Sequence, residues 1–185
     1  MNLPNLLSLF RILLVPLLVV VLLTKFPEKE FVGLALFLIA AGTDFLDGFL
    51  ARRNSQVTRL GKLLDPAADK VLTSAAFISL VEMNPHVTPA WIVVTIVARE
   101  FSIGALRSFA AAEQLVIPAS WMGKVKTVAQ IIAISLLIFY NKLGSFSHLA
   151  PLALWAALIL SVVSGIEYFL RFRRLVLHGH QPSER

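Results

Sequence analysis

Four aspartates lie beside or within long apolar runs in the stretch 42–71: Asp44, Asp47, Asp65 and Asp69. An ionisable residue at membrane depth is costly and marks a functional site by default. Four carboxylates are more costly still, because neighbouring negative charges repel each other and resist ionising together. A hard divalent cation such as Mg²⁺ or Mn²⁺ relieves that repulsion, and oxygen atoms are the ligands it prefers. The residue types therefore predict a metal site.

The spacing of the aspartates predicts one shared pocket. The first pair is three residues apart and the second pair four, so each pair shares a face if it lies on a helix. Two helices joined by a short loop would then point all the carboxylates into one pocket. Small residues, which let a ligand approach the backbone closely, accompany both pairs; they are Gly48, Ala51 and Gly61.

The composition indicates an integral membrane protein. Of 185 residues, 57% are hydrophobic and 15% are charged, and the mean hydropathy is +0.79, whereas soluble domains are about 45–50% apolar. The absence of cysteine excludes disulfides and thiolate metal sites. The net charge is +6. In a membrane protein, basic residues usually mark cytoplasmic loops and contact anionic lipids, so no nucleic acid partner is expected.

Apolar runs of about 20 residues, the length that crosses a bilayer, predict six transmembrane helices. The predicted spans are 5–24, 31–52, 63–83, 89–112, 123–141 and 148–172. Basic residues are concentrated between the second and third spans, at the start of the fifth and near the C-terminus, which predicts that both termini are cytoplasmic. We therefore expect an all-α membrane protein with one domain, residues 1–185, and an active site at the cytoplasmic ends of helices 2 and 3.

Charged residues also interrupt the predicted fourth span. Arg99, Glu100 and Arg107 lie within it and must face protein or water rather than lipid. Arg99 and Glu100 are interpreted mainly as structural partners of other helices. Arg107 lies toward the cytoplasmic end, level with the predicted pocket, and Lys124 and Lys126 open the fifth span.

The aspartates belong to a longer pattern, D-x2-D-G-x2-A-R-x8-G-x3-D-x3-D. Every position is filled, by Asp44, Asp47, Gly48, Ala51, Arg52, Gly61, Asp65 and Asp69. Eight fixed positions match by chance about once in a billion starts or less at average residue usage. In this pattern the chain resembles the CDP-alcohol phosphatidyltransferase family over its whole length. The segments PNLLSLFR, AREFSIGALR and GKVKTVAQ resemble the bacterial branch that uses glycerol 3-phosphate, with Ser8 where threonine is expected.

The resemblance implies a reaction and roles for the residues. The phosphatidyl group of CDP-diacylglycerol passes to glycerol 3-phosphate, CMP is released, and the enzyme is a homodimer in the cell membrane. Asp44, Asp47 and Asp65 are implied to hold two divalent ions, Mg²⁺ or Mn²⁺, with Asp69 completing the carboxylate set and acting as the base. The residues implied to surround the nucleotide are Thr43, Gly48, Ala51, Arg52 and Gly61.

The acceptor and the reaction class leave alternatives open. Arg107 and Lys126, with Lys124 in reserve, are candidates to bind the phosphate of the acceptor, and the competing interpretation is that they only anchor the topology. A sister transferase that uses inositol phosphate, serine or phosphatidylglycerol is the first alternative function. The second is a non-enzymatic cation carrier whose aspartates line an ion pathway.

Overall fold

Six α-helices make up most of the part of the chain that the structure describes. The computed structural model describes residues 3–54, 59–113 and 120–178, and no strand occurs in these ranges. The helices are α1 Leu3–Leu23, α2 Lys29–Asn54, α3 Arg59–Met83, α4 Ala90–Ala112, α5 Trp121–Ile138 and α6 Leu149–His178. Two short 3-10 helices, Tyr140–Lys142 and Gly144–Phe146, connect α5 to α6. The all-α prediction is confirmed.

The helices coincide with the predicted spans, and their ends differ by a few residues. The largest difference is at α6, which continues to His178 instead of ending at residue 172, because helical hydrogen bonding does not stop where the apolar stretch gives way to arginines. α5 begins at Trp121 because Ser120 caps it: the Ser120 hydroxyl accepts a hydrogen bond of 3.0 Å from the Gly123 N–H. This cap places Lys124 and Lys126 in the first two turns of α5.

Three segments of the described chain are long and apolar enough to cross a membrane: Leu6–Leu23, Trp121–Ile138 and Gly144–Val176. They fall on α1, α5 and α6. The helices α2, α3 and α4 carry the charged residues discussed above, which lower their hydropathy. The chain is therefore a membrane protein with six helices, and the crossing of all six stays a prediction.

The core lies around α1 and α3. α1 packs against α2 and α3, α3 also contacts α4 and α5, and α6 packs against α4 and α5. Leu22, Phe37 and Leu80 are fully buried in this core. The outer surface is apolar too, since side chains such as Leu13 and Val94 are more than 60% exposed, as expected of a surface solvated by lipid. Because α3 contacts four other helices, its charged residues lie among several possible partners.

Candidate functional site

The predicted carboxylate pairs lie on two helices that contact each other. Asp44 and Asp47 are in α2, and Asp65 and Asp69 are in α3. The helical spacing on which the shared-face prediction depends is confirmed for both pairs. The side chains of Asp44, Asp47 and Asp65 lie outside the described residues, and Asp69 is described and half-buried.

This donor set fits a hard divalent cation. All the donors are carboxylates, they come in pairs on two contacting helices, and the chain has no sulfur ligand from cysteine that would favour a softer metal. Among the side chains that the structure describes, no group of three or more histidines, aspartates or glutamates could hold a metal. The aspartate set stays the candidate metal set, and Asp69 is its one member whose side chain is described.

Of the five residues expected around the nucleotide, the structure describes the side chain of Thr43. Its hydroxyl donates to the Ala40 carbonyl oxygen at 2.7 Å. The Arg11 Nε, from α1, donates to the same carbonyl at 3.1 Å and to the Thr43 hydroxyl at 3.4 Å. The other four residues, whose side chains lie outside the described residues, are Gly48, Ala51, Arg52 and Gly61.

Arg11 is the largest fully buried polar side chain near the aspartates, with 0% exposure. Burying a guanidinium is costly unless its N–H groups are satisfied, and Arg11 bonds to α2 immediately before Asp44. The structure shows that it fixes α1 against the segment of α2 that begins the aspartate pattern.

Lys126 is a buried cation on α5. It is 8% exposed, and its ammonium attracts the Asp69 carboxylate electrostatically. Its main partner is the Glu100 Oε1, with which it forms an ion pair. The Gln130 side-chain oxygen accepts from it as well, at 3.5 Å. Lys126 thus links α5 to both α4 and α3.

Glu100 and Arg99 form the centre of a cluster that joins three helices. The Glu100 Oε1 accepts from the Arg99 Nη1 at 3.0 Å and from the Gln130 Nε2 at 3.2 Å, in addition to Lys126. The Arg99 Nη2 donates to the Ser164 hydroxyl on α6 at 2.8 Å. The interpretation as structural partners is supported, with one correction: Arg99 and Glu100 also pair with each other, although adjacent helix positions point to different faces.

Arg107 and Lys124 have other neighbours. The Arg107 side chain is exposed, and its guanidinium carbon lies 5.4 Å from the centre of the Tyr168 ring on α6, a favourable cation–π arrangement. Lys124 is exposed in the first turn of α5. The structure therefore gives Lys126 a buried, hydrogen-bonded position and leaves Arg107 and Lys124 accessible.

Lys70 is a charged residue that the sequence interpretation missed. It follows Asp69 on α3, and its ammonium lies 5.8 Å from the centre of the Phe101 ring on α4. Gly104 makes this position possible, because a Cβ there would lie 1.7 Å from the Lys70 Nζ. Gly104, three residues after Phe101, was the available signal, but nothing in the sequence linked it to Lys70.

Comparisons with known proteins agree on one family. The sequence model described as CDP-alcohol phosphatidyltransferase matches residues 1–163. A Bacillus subtilis (strain 168) protein named CDP-diacylglycerol–glycerol-3-phosphate 3-phosphatidyltransferase is 44% identical over 183 residues, covering 91% of this chain and 93% of that protein. Proteins with the same name from Salmonella choleraesuis (strain SC-B67) and Escherichia coli (strain K12) are 42% and 40% identical over 169 residues, covering 85% of this chain and 91% of each relative. The family resemblance is confirmed.

Proposed function

The chain belongs to the CDP-alcohol phosphatidyltransferase family of enzymes, and we propose that it transfers the phosphatidyl group of CDP-diacylglycerol to glycerol 3-phosphate with release of CMP. The observation that carries the proposal is identity of 40–44%, over at least 85% of the chain, to relatives named for that activity. The complete aspartate pattern on two contacting helices is consistent with it.

The proposed reaction breaks one phosphoanhydride bond and forms one phosphoester bond. The acceptor hydroxyl oxygen attacks the phosphorus that carries the diacylglycerol, and the bond from that phosphorus to the CMP phosphate oxygen breaks, so that CMP leaves with the electron pair. An alcohol is a poor nucleophile until a base takes its proton. We assign that role to Asp69, which is half-buried on α3. Because CMP is a good leaving group, no covalent enzyme intermediate is required.

The remaining aspartates are proposed to hold two divalent ions. When bound, such ions neutralise the phosphate oxygens and stabilise the charge on the departing nucleotide. Asp44, Asp47 and Asp65 supply the ligands, and Asp69 completes the carboxylate set. The residues proposed to surround the nucleotide are Thr43, Gly48, Ala51, Arg52 and Gly61.

The acceptor is a small dianion, and its pocket needs positive charge that metals engaged with the pyrophosphate do not supply. Lys126 is buried and attracts Asp69, so an acceptor phosphate at Lys126 would keep the acceptor hydroxyl near the base. Arg107 supplies a planar fork that matches phosphate oxygens, and it is exposed and able to reorient. Lys124 is the reserve candidate.

A panel of acceptors tests the proposal. Purified protein in mixed micelles with CDP-diacylglycerol and Mg²⁺ is given glycerol 3-phosphate, inositol phosphate, serine, phosphatidylglycerol or glycerol, and CMP release is measured. We expect fast release with glycerol 3-phosphate and little with unphosphorylated glycerol, whose binding would leave the pocket's charges unpaired. Faster release with another alcohol identifies a sister transferase, and no CMP with any acceptor supports the cation carrier.

The proposed topology has six spans, both termini in the cytoplasm and the site at the cytoplasmic ends of α2 and α3. It follows from the basic residues and suits a substrate whose tails lie in lipid and whose nucleotide lies in water. Reporter fusions at Phe26, Asn84 and Ser145 should report the outer side, and fusions at Gln56 and Gln114 the cytoplasm. Cytoplasmic signal at Asn84 would contradict the topology. We further propose a homodimer in the cell membrane, which cross-linking in native membranes would test.

A further inference from the structure

Glu100 is a carboxylate that the proposed reaction does not use. It lies on α4 with a side chain only 12% exposed. One oxygen, Oε1, accepts from three donors: the Arg99 Nη1, the Lys126 ammonium and the Gln130 Nε2. Such convergence of donors is what a buried carboxylate needs in order to remain charged.

The donors of Lys126 can be accounted for in the same way. An ammonium has three N–H groups. One is directed to Glu100 on α4, and a second to the Gln130 oxygen, one turn along α5, at 3.5 Å. Asp69, on α3, also attracts the ammonium electrostatically.

Two carboxylates on different helices therefore attract Lys126: Glu100 through a hydrogen-bonded ion pair, and Asp69 electrostatically. Without Glu100, Lys126 would move toward Asp69 and pair with the carboxylate that we propose as the base. With Glu100 in place, the ammonium stays bonded to α4. Arg99, bonded to Ser164 at 2.8 Å, fixes Glu100 in turn against α6.

We propose that Glu100 is a positioning residue that holds the Lys126 ammonium in the acceptor pocket, so that it acts on acceptor binding through Lys126 without touching the acceptor. The inference rests on the proposed function, since it takes Lys126 as the group that binds the acceptor phosphate. Gln130 assists by bonding to both partners.

The first test is Glu100→Gln in the full-length protein, reconstituted in mixed micelles. The substitution keeps the shape and removes the charge, so Lys126 loses its main anchor. We expect the KM for glycerol 3-phosphate to rise about tenfold, the effect of losing about 1.4 kcal/mol of binding free energy. The KM for CDP-diacylglycerol should change less than about twofold, because this substrate is not proposed to bind Lys126.

Glu167→Gln is the matched control. Glu167 is also a carboxylate on a membrane helix and pairs with a cation, Arg171, at 2.5 Å along α6. No hydrogen bond or ion pair joins it to Lys126 among the described residues. Glu167→Gln should leave both KM values unchanged. If it raises the KM for glycerol 3-phosphate as much as Glu100→Gln does, the effect is general to buried carboxylates and the proposal is wrong.

A double-mutant cycle separates positioning from a merely structural role. In a Lys126→Met background, adding Glu100→Gln should leave the KM for glycerol 3-phosphate unchanged, because the residue through which Glu100 acts is already gone. The double variant also replaces the buried pair by neutral groups, which proteins tolerate better than loss of one partner. If Glu100→Gln alone does not fold, Gln130→Met should raise the same KM by about threefold, less than loss of the charge itself.

The outcomes separate this inference from the function on which it rests. No CMP release from the unaltered protein with glycerol 3-phosphate overturns the proposed function. Normal release by the unaltered protein, with an unchanged acceptor KM in Glu100→Gln, overturns the positioning role alone. So does a rise of the same size in the Lys126→Met background, because Glu100 would then act independently of Lys126.

Discussion

Two charged regions of this membrane protein differ in how their charges are balanced. The aspartate region on α2 and α3, residues 44–70, carries four carboxylates at fixed positions of the pattern and five basic residues, of which Arg52 alone fills a pattern position. The region around Glu100, on α4, α5 and α6, pairs one carboxylate with two cations, an amide and, through Arg99, a hydroxyl. The charges of the second region pair with one another, whereas the carboxylates of the first are proposed to bind divalent cations.

The comparison suggests different roles for the two regions: one for binding ligands and one for fixing the helices relative to one another. Ionised carboxylates repel each other because all of them are negative, and bound cations remove this repulsion. A mixed cluster that is already hydrogen-bonded gains little from a ligand and instead fixes helices relative to one another. Lys126 belongs to both regions, since it is bonded to Glu100 and attracted by Asp69. The interactions of Lys126 therefore connect the region around Glu100 to the aspartate region.

The largest effect should come from removing the divalent cations that we propose for the aspartate region. Excess EDTA should abolish CMP release, and Mg²⁺ or Mn²⁺ should restore it, because four carboxylates without metal would repel the anionic substrate. Asp44→Asn, Asp47→Asn and Asp65→Asn should each eliminate turnover. Undiminished turnover in excess chelator would show that the region works without metal, and the contrast between the two regions would fail.

Substitution of Asp69 should have a different effect from substitution of the other aspartates. If it is the base, Asp69→Asn should keep metal-dependent binding of CDP-diacylglycerol and lose about 10²–10⁴-fold in kcat, the usual contribution of a general base. Equilibrium binding of the nucleotide lipid and single-turnover kinetics measure the two quantities independently. Loss of nucleotide binding in this variant would assign Asp69 to the metal ligands instead.

The sequence predicted the aspartate region better than the region around Glu100. The six helices follow from apolar length, and the carboxylate pairs follow from local spacing, so both were accessible without a structure. The bonds of Glu100 to Lys126 and of Arg99 to Ser164 join residues 26 and 65 positions apart, and nothing in local spacing specifies such pairs. For the same reason the position of Lys70 against Gly104 could not be predicted. End positions, as at His178, depend on hydrogen bonding past the apolar stretch.

The next effect concerns the cations assigned to the acceptor. Arg107→Ala and Lys126→Ala should each raise the KM for glycerol 3-phosphate by about 10- to 100-fold, because a hydrogen bond to a charged group contributes about 1.5–3 kcal/mol. The KM for CDP-diacylglycerol should change much less. Steady-state kinetics with each substrate varied in turn make the measurement.

Lys142→Ala is the control for these two variants. Lys142 is also a cation in an ion pair, with Glu28 at 3.0 Å, but both side chains are solvent-accessible and lie on the connections between helices. Exposed pairs contribute little, so both KM values should stay as in the unaltered protein. An unchanged KM for glycerol 3-phosphate in both Arg107→Ala and Lys126→Ala would show that neither residue binds the acceptor.

The smallest effect should come from the contact that joins the two regions directly, Lys70 against α4. A Cβ on Gly104 would lie 1.7 Å from the Lys70 Nζ and 2.9 Å from its Cε, so Gly104→Ala must move the end of a flexible side chain away from the Phe101 ring. Losing that cation–π contact costs about 0.5–2 kcal/mol. Replacing a glycine within a helix by alanine gains about 0.8–1.0 kcal/mol. The two terms nearly cancel, so Gly104→Ala alone should change the unfolding free energy in detergent little.

The two contributions can be measured separately, because the cation–π contact needs Lys70 and the gain in helix propensity does not. In a Lys70→Ala background, Gly104→Ala should stabilise the protein by about 0.8–1.0 kcal/mol, since the helix term acts without the clash. Gly42→Ala, at a position with no atom within 4 Å of the added Cβ, should show the same gain in both backgrounds. The difference between the backgrounds at Gly104 then measures how strongly Lys70 ties α3, and with it Asp69, to α4. An equal effect of Gly104→Ala in both backgrounds would mean that Lys70 does not couple the two regions, which would leave Lys126 as the residue that joins them.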